Sequence, residues 1–418
     1  MSVVKHGTAT RTGWDASQVL NVVDRPLGPE RTLDAFRDFT SSKNYVETAR
    51  MLNREDAAKL VDVFDEVIGS DLRIAQSKTL LRALGSICSA TGQLPHPTIL
   101  SDGLKRCGEI AVASGGFTDT WLGRYKTKYV ALKAFRTYPL QDLKEAEKIL
   151  WKEVVLWKRL SHEHVLPFYG VDKANFQLAL VYDWADSGNI IQYLDSNPQV
   201  SRIRLLREVA EGLRYLHSYG VVHGDLKGTN VLISRSGHAR LSDYGLMPIQ
   251  SNHAFMIAAT PGVVGISRWL APELIDPPRK KGHRQPAGTG QADIFAFAML
   301  VIEVLTGELP FGDVRHESAI LMIAHGKRPE KPQDAESLGL TTEMWKFIQR
   351  CWHQNPSKRP DINTVVTAWQ KFDSQESSRR SALAAADTIY QEKHKSQVHK
   401  SFAKSTDKPK RTWFCGLF

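Results

Sequence analysis

The sequence is poor in cysteine. Its 418 residues include four cysteines, which are Cys88, Cys107, Cys351 and Cys415. They form neither a close pair nor the spacing of a metal-binding motif. This argues against a disulfide framework and against a zinc site. Sparse, unpaired cysteine is typical of a reducing compartment, so we expect a cytoplasmic protein.

Long apolar runs are also scarce. The first fourteen residues are polar and lack the apolar core of a secretory signal. The longest apolar run, near Ile294 to Leu305, is interrupted by Glu303 and is too short to span a bilayer. We therefore expect neither secretion nor a membrane-spanning helix.

Positive charge is in excess but unevenly placed. The net charge is +10, and residues 391–418 hold seven basic and two acidic residues, which is about half of that excess. No basic stripe with interleaved aromatic residues runs through the remaining sequence. The pattern therefore argues against a nucleic-acid partner and predicts a basic tail.

The sequence divides into four parts. Residues 1–30 are polar and predict a disordered N-terminus. Residues 31–97 predict a helical regulatory or adaptor segment, in which Asn53 and Asp56 resemble a capping box. Residues 105–372 form the main domain, and residues 373–418 predict a flexible basic tail.

Two helices of the second part have an apolar face. Leu60, Phe64, Val67 and Ile68 share one face of the first helix, and Leu80, Leu84, Ile87 and Cys88 share one face of the second. Such faces need a partner surface. The segment could be an autoinhibitory element, a dimerisation helix pair or an adaptor that binds a protein partner.

The main domain changes its pattern along its length. Short β-prone segments lie at 110–114, 120–125, 128–135, 165–170 and 177–183, and a long amphipathic helix at 141–160 lies between them. After Asn189 the pattern is mostly helical. Strands followed by helices predict a two-lobed α+β fold.

The most informative segment reads HGDLKGTN at 223–230 and is followed by DYG at 243–245. It sets two carboxylates, an amine and an amide at fixed offsets. Metal-assisted phosphoryl transfer needs a group that orients the attacking hydroxyl, ligands for magnesium and a cation for the moving phosphate. The segment offers all of them.

With VALK at 130–133 and APE at 271–273, residues 108–372 resemble the protein kinase catalytic domain. Lys227, two residues after Asp225, is the pattern of Ser/Thr kinases. The tryptophan before APE, Trp269, resembles the pattern of the tyrosine-kinase-like group. The GTN at 228–230 resembles the catalytic loop of the fungal branch of that group. The resemblance implies a small β-rich lobe and a larger helical lobe, ATP and Mg²⁺ as cofactors, and protein substrates phosphorylated on Ser or Thr.

The resemblance also implies roles for the motif residues. Asp225 would be the catalytic carboxylate, and Lys227 would neutralise charge on the transferred group. Asn230 and Asp243 would hold magnesium. Lys133 would bind the ATP phosphates and form an ion pair with Glu153, for which Glu145 and Glu147 are the alternatives on the same helix.

Further positions follow from the same resemblance. Gly115 and Gly116 would belong to the phosphate-covering loop, and the backbone of Asp183 and Ala185 would bind adenine beside Tyr182 at the gatekeeper position. Three residues would be structural: Asp293 would brace the catalytic loop, and Arg359 would be the buried partner of Glu273.

The sequence departs from the family pattern in several places. Ala113 and Thr118 stand where glycines are usual, and Thr120 replaces an apolar residue over adenine, so we expect weaker ATP binding.

The catalytic loop and the activation segment depart as well. Gly224 replaces an arginine that binds a phosphate on the activation segment, so phosphorylation there should matter little for activity. Ile266 replaces a threonine whose hydroxyl touches Asp225 and Lys227.

These departures keep a second hypothesis open, in which the domain is a pseudokinase that acts as a nucleotide-binding scaffold. The residues that the chemistry needs are nevertheless all present, and they favour an active kinase: Lys133, Glu153, Asp225, Asn230 and Asp243.

The chain ends in CGLF at 415–418, which fits a prenylation box at Cys415, although Gly416 is not aliphatic. One lipid chain anchors weakly, and nearby basic residues such as Lys408, Lys410 and Arg411 add about 1 kcal/mol each at an anionic membrane. The sequence thus predicts peripheral contact with the cytoplasmic face of a membrane.

The lipidation hypothesis predicts that Cys415→Ser lowers membrane partitioning several-fold, because the basic residues alone bind weakly. Flotation of the expressed protein with cellular membranes measures this, with Cys107→Ser as the matched control. Equal partitioning of the parent and the Cys415→Ser variant would refute prenylation as the anchor.

Overall fold

The computed structural model of the protein describes residues 13–25, 28–70, 74–115, 118–136, 140–246, 268–276 and 288–404. Within these ranges a helical bundle precedes a small sheet-containing lobe and a larger helical lobe. No helix in the described part of the chain combines the length and apolar character needed to cross a membrane.

The N-terminal bundle contains five helices. They are α1 (Ala16–Asp24), α2 (Pro29–Ser41), α3 (Tyr45–Arg50), α4 (Arg54–Ser70) and α5 (Ile74–Thr91). The prediction of disorder over residues 1–30 is wrong for α1, because Asp15 caps the helix through a reciprocal capping box and Val19 and Val23 are buried.

Local sequence sets the bounds of α4 and α5. The Asn53 side chain accepts from the Asp56 amide at 3.0 Å and donates to its carboxylate at 2.7 Å, as the capping pattern predicts. Helix α5 ends before Gly92, whose φ of +71° suits a residue without Cβ. The predicted apolar faces of both helices are buried, and stacked Phe36 and Phe64 lie in the bundle core with ring centroids 4.3 Å apart.

The small lobe is built on one antiparallel sheet and one helix. The sheet has the order β1-β3-β4-β6-β5, with β2 paired to β3. Its elements are β1 (Leu104–Arg106), β2 (Ala113–Ser114), β3 (Thr118–Tyr125), β4 (Lys128–Phe135), β5 (Phe168–Asp172) and β6 (Ala179–Asp183), and α6 (Leu140–Trp157) lies between β4 and β5 in the chain. The register places Thr120 opposite Lys133.

The large lobe surrounds one apolar helix, α10 (Gly290–Thr306). Its helices are α7 (Ile190–Ser196), α8 (Arg202–Ser218), α9 (Pro272–Ile275), α10 (Gly290–Thr306), α11 (His316–Ala324), α12 (Thr342–Cys351) and α13 (Ile362–Lys404). Two short strands, β7 (Val231–Ile233) and β8 (Ala239–Leu241), pair as a hairpin that the sequence pattern did not reveal. The predicted two-lobed α+β fold is confirmed.

Helix α13 departs from the predicted tail. The sequence predicts flexibility from residue 373, whereas the structure continues the helix to Lys404. Its early turns are held to the large lobe, since Arg207 contacts Asp373 at 2.8 Å and Arg380 donates to the Gln199 carbonyl at 2.9 Å.

The bundle is docked on both lobes. Helix α5 packs along α6, and Arg159, just after α6, binds the Asp65 carboxylate and carbonyl at 2.8 Å each. Towards the large lobe, Lys78 donates to the Ser218 carbonyl at 2.5 Å and lies over the Tyr219 ring. The helical segment thus bridges the two lobes.

The bundle approaches α6 closely at Gly85. A Cβ there would lie 2.3 Å from the Lys152 carbonyl oxygen. Gly→Ala inside a helix normally stabilises by about 1 kcal/mol, whereas overpacking costs about 1–3 kcal/mol. We therefore expect Gly85→Ala to lower the free energy of unfolding in urea titrations. Thr79→Ala, at an exposed position of the same helix, is the control; a more stable Gly85→Ala variant would contradict this packing.

Candidate active site

Helix α10 carries two buried carboxylates in an apolar environment, Asp293 and Glu303. Asp293 accepts the backbone amides of His223 at 2.8 Å and Gly224 at 2.9 Å, and contacts the His217 ring at 2.7 Å. Asp293 therefore braces the catalytic loop as predicted. Because a buried carboxylate needs partners, these bonds hold the loop in one position.

The loop turns sharply at Gly224. Its φ is +79°, a conformation that glycine adopts without strain. The neighbouring His223 is fully buried, and burial lowers the pKa of its imidazole despite nearby Asp293. The histidine is thus a neutral structural residue, and the turn delivers Asp225 to the site.

Asp225, Lys227 and Asn230 lie together. The Lys227 ammonium is 2.7 Å from the Asp225 carboxylate. The Asn230 side-chain amide donates to the Asp225 carbonyl at 2.7 Å and to its carboxylate at 3.1 Å. A carboxylate held by an ammonium and an amide, and partly open to solvent, can orient a hydroxyl group.

Lys133 and Asp243 form the second half of the site. Lys133 lies on β4 with its ammonium bound to the Asp243 carboxylate. Asp243 has a φ of +59°, and the adjacent Ser242 amide donates to the Asn230 carbonyl at 2.9 Å. The backbone therefore joins Asp243 directly to the loop that carries Asp225.

The predicted ion pair between Lys133 and Glu153 is wrong for this structure. Lys133 binds Asp243 instead, and Glu153 forms no ion pair among the described residues. Burial raises the pKa of the Glu153 carboxyl, although Lys152 and Arg82 lower it. Helix α6, which carries Glu153, packs along α5, and sequence spacing alone does not specify the rotation of α6 that this packing fixes. The alternative Glu147 binds Lys173 at 2.6 Å.

Aromatic side chains fill the space behind Asp243. Tyr244 is fully buried, meets Trp157 and Tyr182 edge to face, and donates its hydroxyl to the Leu166 carbonyl at 3.2 Å. The phenol in place of phenylalanine thus finds the partner that its burial requires. Lys133 lies over the ring of Tyr182, the predicted gatekeeper, at 5.9 Å.

Strands β2 and β3 pair antiparallel as a hairpin, which carries the predicted phosphate-covering loop. The Gly115 amide donates to the Thr118 carbonyl at 2.8 Å. Arg136, at the end of β4, donates to the Gly115 carbonyl at 2.6 Å and forms an ion pair with Asp119 at 3.2 Å. The hairpin is therefore tied to the strand that carries Lys133, a feature that the glycine pattern did not predict.

The segment after β6 holds the predicted adenine contacts. Asp183 accepts from the Tyr169 hydroxyl at 3.0 Å and binds Arg240 at 3.1 Å, so the start of the segment is fixed between the lobes. The Ala185 carbonyl accepts from Gly188 at 3.4 Å, while its amide has no partner among the described residues. A free amide at this position can donate to a ligand.

Oxygen donors at Asn230 and Asp243 fit a magnesium ion. The Asn230 amide nitrogen is engaged by Asp225, which leaves its carbonyl oxygen free, and one Asp243 oxygen remains beside the one bound by Lys133. Hard cations such as Mg²⁺ prefer carboxylate and amide oxygens.

Glu303 is a site-positioning residue that the sequence analysis did not identify. Its carboxylate accepts from the Gly228 amide at 2.8 Å and from the Trp269 indole at 2.9 Å. It thereby joins the catalytic loop to the APE segment. The sequence feature that could have identified Glu303 is its position as a single charge inside the longest apolar run.

The predicted Glu273–Arg359 pair is confirmed, with two parallel contacts of 2.7 and 2.8 Å. The guanidinium is fully buried and the geometry is bidentate, the strongest form of such a pair. Three predicted positions, Gly116, Ile266 and Cys415, lie outside the described residues.

Comparison with known proteins agrees with this arrangement. Residues 109–368 match the family described as protein tyrosine and serine/threonine kinase, so the chain belongs to that family. It is 29% identical over 269 residues to the serine/threonine/tyrosine-protein kinase HT1 of Arabidopsis thaliana, covering 62% of this chain and 65% of that protein.

Other relatives share the same region. The chain is 28% identical to the serine/threonine-protein kinase STY17 of Arabidopsis thaliana, covering 62% of this chain and 43% of that protein. It is 26% identical to the RGS domain-containing serine/threonine-protein kinase A of Dictyostelium discoideum, over 61% of this chain and 21% of that protein. The chain thus spans less than two thirds of these relatives.

Glu303 predicts a pH dependence of stability. Burial raises the pKa of its carboxyl from 4.5 to about 7, although the Gly228 amide, the Trp269 indole and Lys227 lower it. The folded state holds this proton more tightly than the unfolded state. The protonated Glu303 carboxyl therefore adds fully to the free energy of unfolding below pH 4.5, and this stabilisation is lost as the pH rises to about 7.

Urea unfolding at intervals between pH 4.5 and 7.5 tests this window. Glu303→Gln keeps an acceptor for Gly228 and Trp269 but cannot ionise, so its profile should be flatter than that of the parent. Glu308→Gln, just beyond the helix, is the control. Parallel profiles for parent and Glu303→Gln would show that Glu303 does not titrate there.

Proposed function

We propose that this protein is an ATP- and magnesium-dependent protein kinase that phosphorylates serine or threonine in protein substrates. The observation that carries the proposal is the cluster of Asp225, Lys227 and Asn230, in which one carboxylate is held by an ammonium at 2.7 Å and an amide at 3.1 Å. Membership of the kinase family and the names of the relatives support the same reaction class.

In this proposal Asp225 would orient the substrate hydroxyl and accept its proton as the hydroxyl oxygen bonds to the terminal phosphorus of ATP; the bond from that phosphorus to the bridging oxygen breaks, and ADP leaves. Lys227 neutralises charge that develops on the transferred group. Lys133 on β4 would hold the phosphate chain, and the Ala185 amide would bind the base. When bound, ATP and Mg²⁺ supply the phosphoryl group and additional positive charge.

Asn230 and Asp243 are the proposed magnesium ligands, through the oxygens that their own contacts leave free. Lys133 now occupies one Asp243 oxygen, and it can exchange that contact for phosphate because both partners are charged and partly solvated. Glu153 becomes its second partner only if α6 turns relative to β4.

Specificity for Ser and Thr rests on Lys227 and on the relatives. Lys227 beside the catalytic carboxylate follows the Ser/Thr pattern, and two of the relatives above are named serine/threonine kinases, whereas HT1 is named a serine/threonine/tyrosine kinase. We therefore propose Ser and Thr as the principal acceptors. We also retain the proposals of a cytoplasmic location and of membrane contact through the basic tail and Cys415.

The proposal predicts that Asp225→Asn lowers phosphoryl transfer by about 10²–10⁴-fold, because general-base assistance is lost. Labelled ATP, Mg²⁺ and a generic protein substrate measure the rate. Asp195→Asn, an exposed change of the same kind on α7, should leave it unchanged. Phosphoamino-acid analysis of the product then separates Ser and Thr from Tyr.

Equal signal from the parent and Asp225→Asn would overturn the kinase assignment and favour a nucleotide-binding scaffold. A product labelled mainly on Tyr would overturn the proposed acceptor specificity while leaving the reaction class intact.

A further inference from the structure

A cleft opens where the N-terminal bundle meets the small lobe. It lies between α3, α5 and α6 and has a volume of about 430 Å³. This falls within the range of about 300–1,000 Å³ that small-molecule sites occupy. Its polar lining is Arg50, Ser86, Ser89, Lys148 and Lys152, and the described lining contains no carboxylate.

The charges of the cleft are not balanced from within. Lys148 and Lys152 lie one turn apart on α6, and neither forms an ion pair among the described residues. Like charges at this spacing destabilise a helix. Of the carboxylates next to these lysines on α6, Glu147 is committed to Lys173 at 2.6 Å, and Glu153 forms no ion pair among the described residues.

Arg50 adds a third cation from the opposite wall. Within the described parts of the chain it pairs with Glu47 on the same helix at 2.8 Å, and both side chains are more than half exposed. Such surface pairs contribute about 0–1 kcal/mol, so the guanidinium can take a second anionic partner at little cost. The planar guanidinium matches the geometry of a phosphate group.

Ser89 supplies an uncharged donor. It is half-buried in the wall formed by α5, and its hydroxyl has no hydrogen-bond partner among the described residues. Ser86 differs, because its hydroxyl donates to the Arg82 carbonyl at 2.9 Å. The cleft therefore presents three cations and at least one free hydroxyl to the same space.

We propose that this cleft binds a soluble small molecule that carries two or more phosphate groups. Three cations on two walls of one cleft favour a multiply charged anion over a single phosphate. The site is separate from the catalytic cluster, and its occupancy does not depend on kinase activity.

The ligand would join two parts of the protein. Arg50 and Ser89 belong to the bundle, whereas Lys148 and Lys152 belong to α6 of the small lobe. An anion between them strengthens the docking of α5 on α6. Lys152 also precedes Glu153, so the ligand acts on the helix whose orientation decides whether Glu153 reaches Lys133.

Isothermal titration calorimetry with inorganic tripolyphosphate in magnesium-free, low-salt buffer tests the proposal. All proteins carry Lys133→Met, which removes the phosphate-binding lysine of the ATP site. Lys148→Glu with Lys152→Glu should weaken binding by about tenfold or more, because two charge-assisted contacts are lost. Lys327→Glu with Lys346→Glu makes the same change in net charge at exposed positions of the large lobe, away from the cleft, and should weaken binding far less.

Equal weakening in the two double variants would overturn the proposal, because it would show non-specific attraction by net charge. Absence of binding to the Lys133→Met protein would overturn it as well. If Lys148→Glu with Lys152→Glu changes the circular dichroism spectrum, Arg50→Gln and Ser89→Ala replace it, each expected to weaken binding about threefold to tenfold.

A second arm distinguishes a soluble ligand from a lipid headgroup. Vesicles of phosphatidylcholine with phosphatidylinositol bisphosphate are sedimented with the same proteins. We expect vesicle binding to be unaffected by the Lys148 and Lys152 changes. Vesicle binding that depends on these lysines, together with no heat of binding for tripolyphosphate, would overturn the soluble ligand in favour of a membrane.

Discussion

The catalytic loop depends on hydrogen bonds to one buried carboxylate, that of Asp293. This side chain accepts the amides of His223 and Gly224 and contacts the His217 ring. Ten residues later, about 15 Å further along the same helix, Glu303 accepts from Gly228 and the Trp269 indole. Both carboxylates lie in an apolar helix, where an unpaired charge would cost several kcal/mol. The geometry of Asp225 and Lys227 is therefore set by α10, which carries none of the proposed catalytic groups.

Much of the fold and part of the site could be predicted from the sequence. Asp225, Lys227 and Asn230 lie within six residues, so the local chain already brings them together. Glu153 could not be paired correctly, because the direction of its side chain depends on how α6 rotates against α5, and helix periodicity does not specify that. Glu303 was visible only as a charge that interrupts an apolar run. The helical order of α1 was missed because its short apolar pattern, with Val19 and Val23 one turn apart, follows a polar N-terminus.

The bundle limits the motion of the two lobes. It contacts the small lobe through Arg159 and the large lobe through Ser218 and Tyr219, and α5 packs tightly on α6 at Gly85. Rotation of α6 would have to disturb this packing, and cores with such close contacts move between discrete arrangements. An intramolecular brace, which differs from the three roles predicted for this segment, needs no additional partner and uses contacts that the structure contains. The cationic cleft lies at the same junction.

Helix α13 extends well past its last hydrogen bond to the large lobe. Arg380 is its last residue with a hydrogen bond to the rest of the chain among the described residues, yet the helix runs on to Lys404. At about 1.5 Å per residue, this continuation is a rod of about 36 Å. The end of this rod lies about that distance from its last hydrogen bond to the large lobe, at Arg380. Under the proposed attachment through the basic tail, the helix would act as a spacer whose length limits which substrates come within reach.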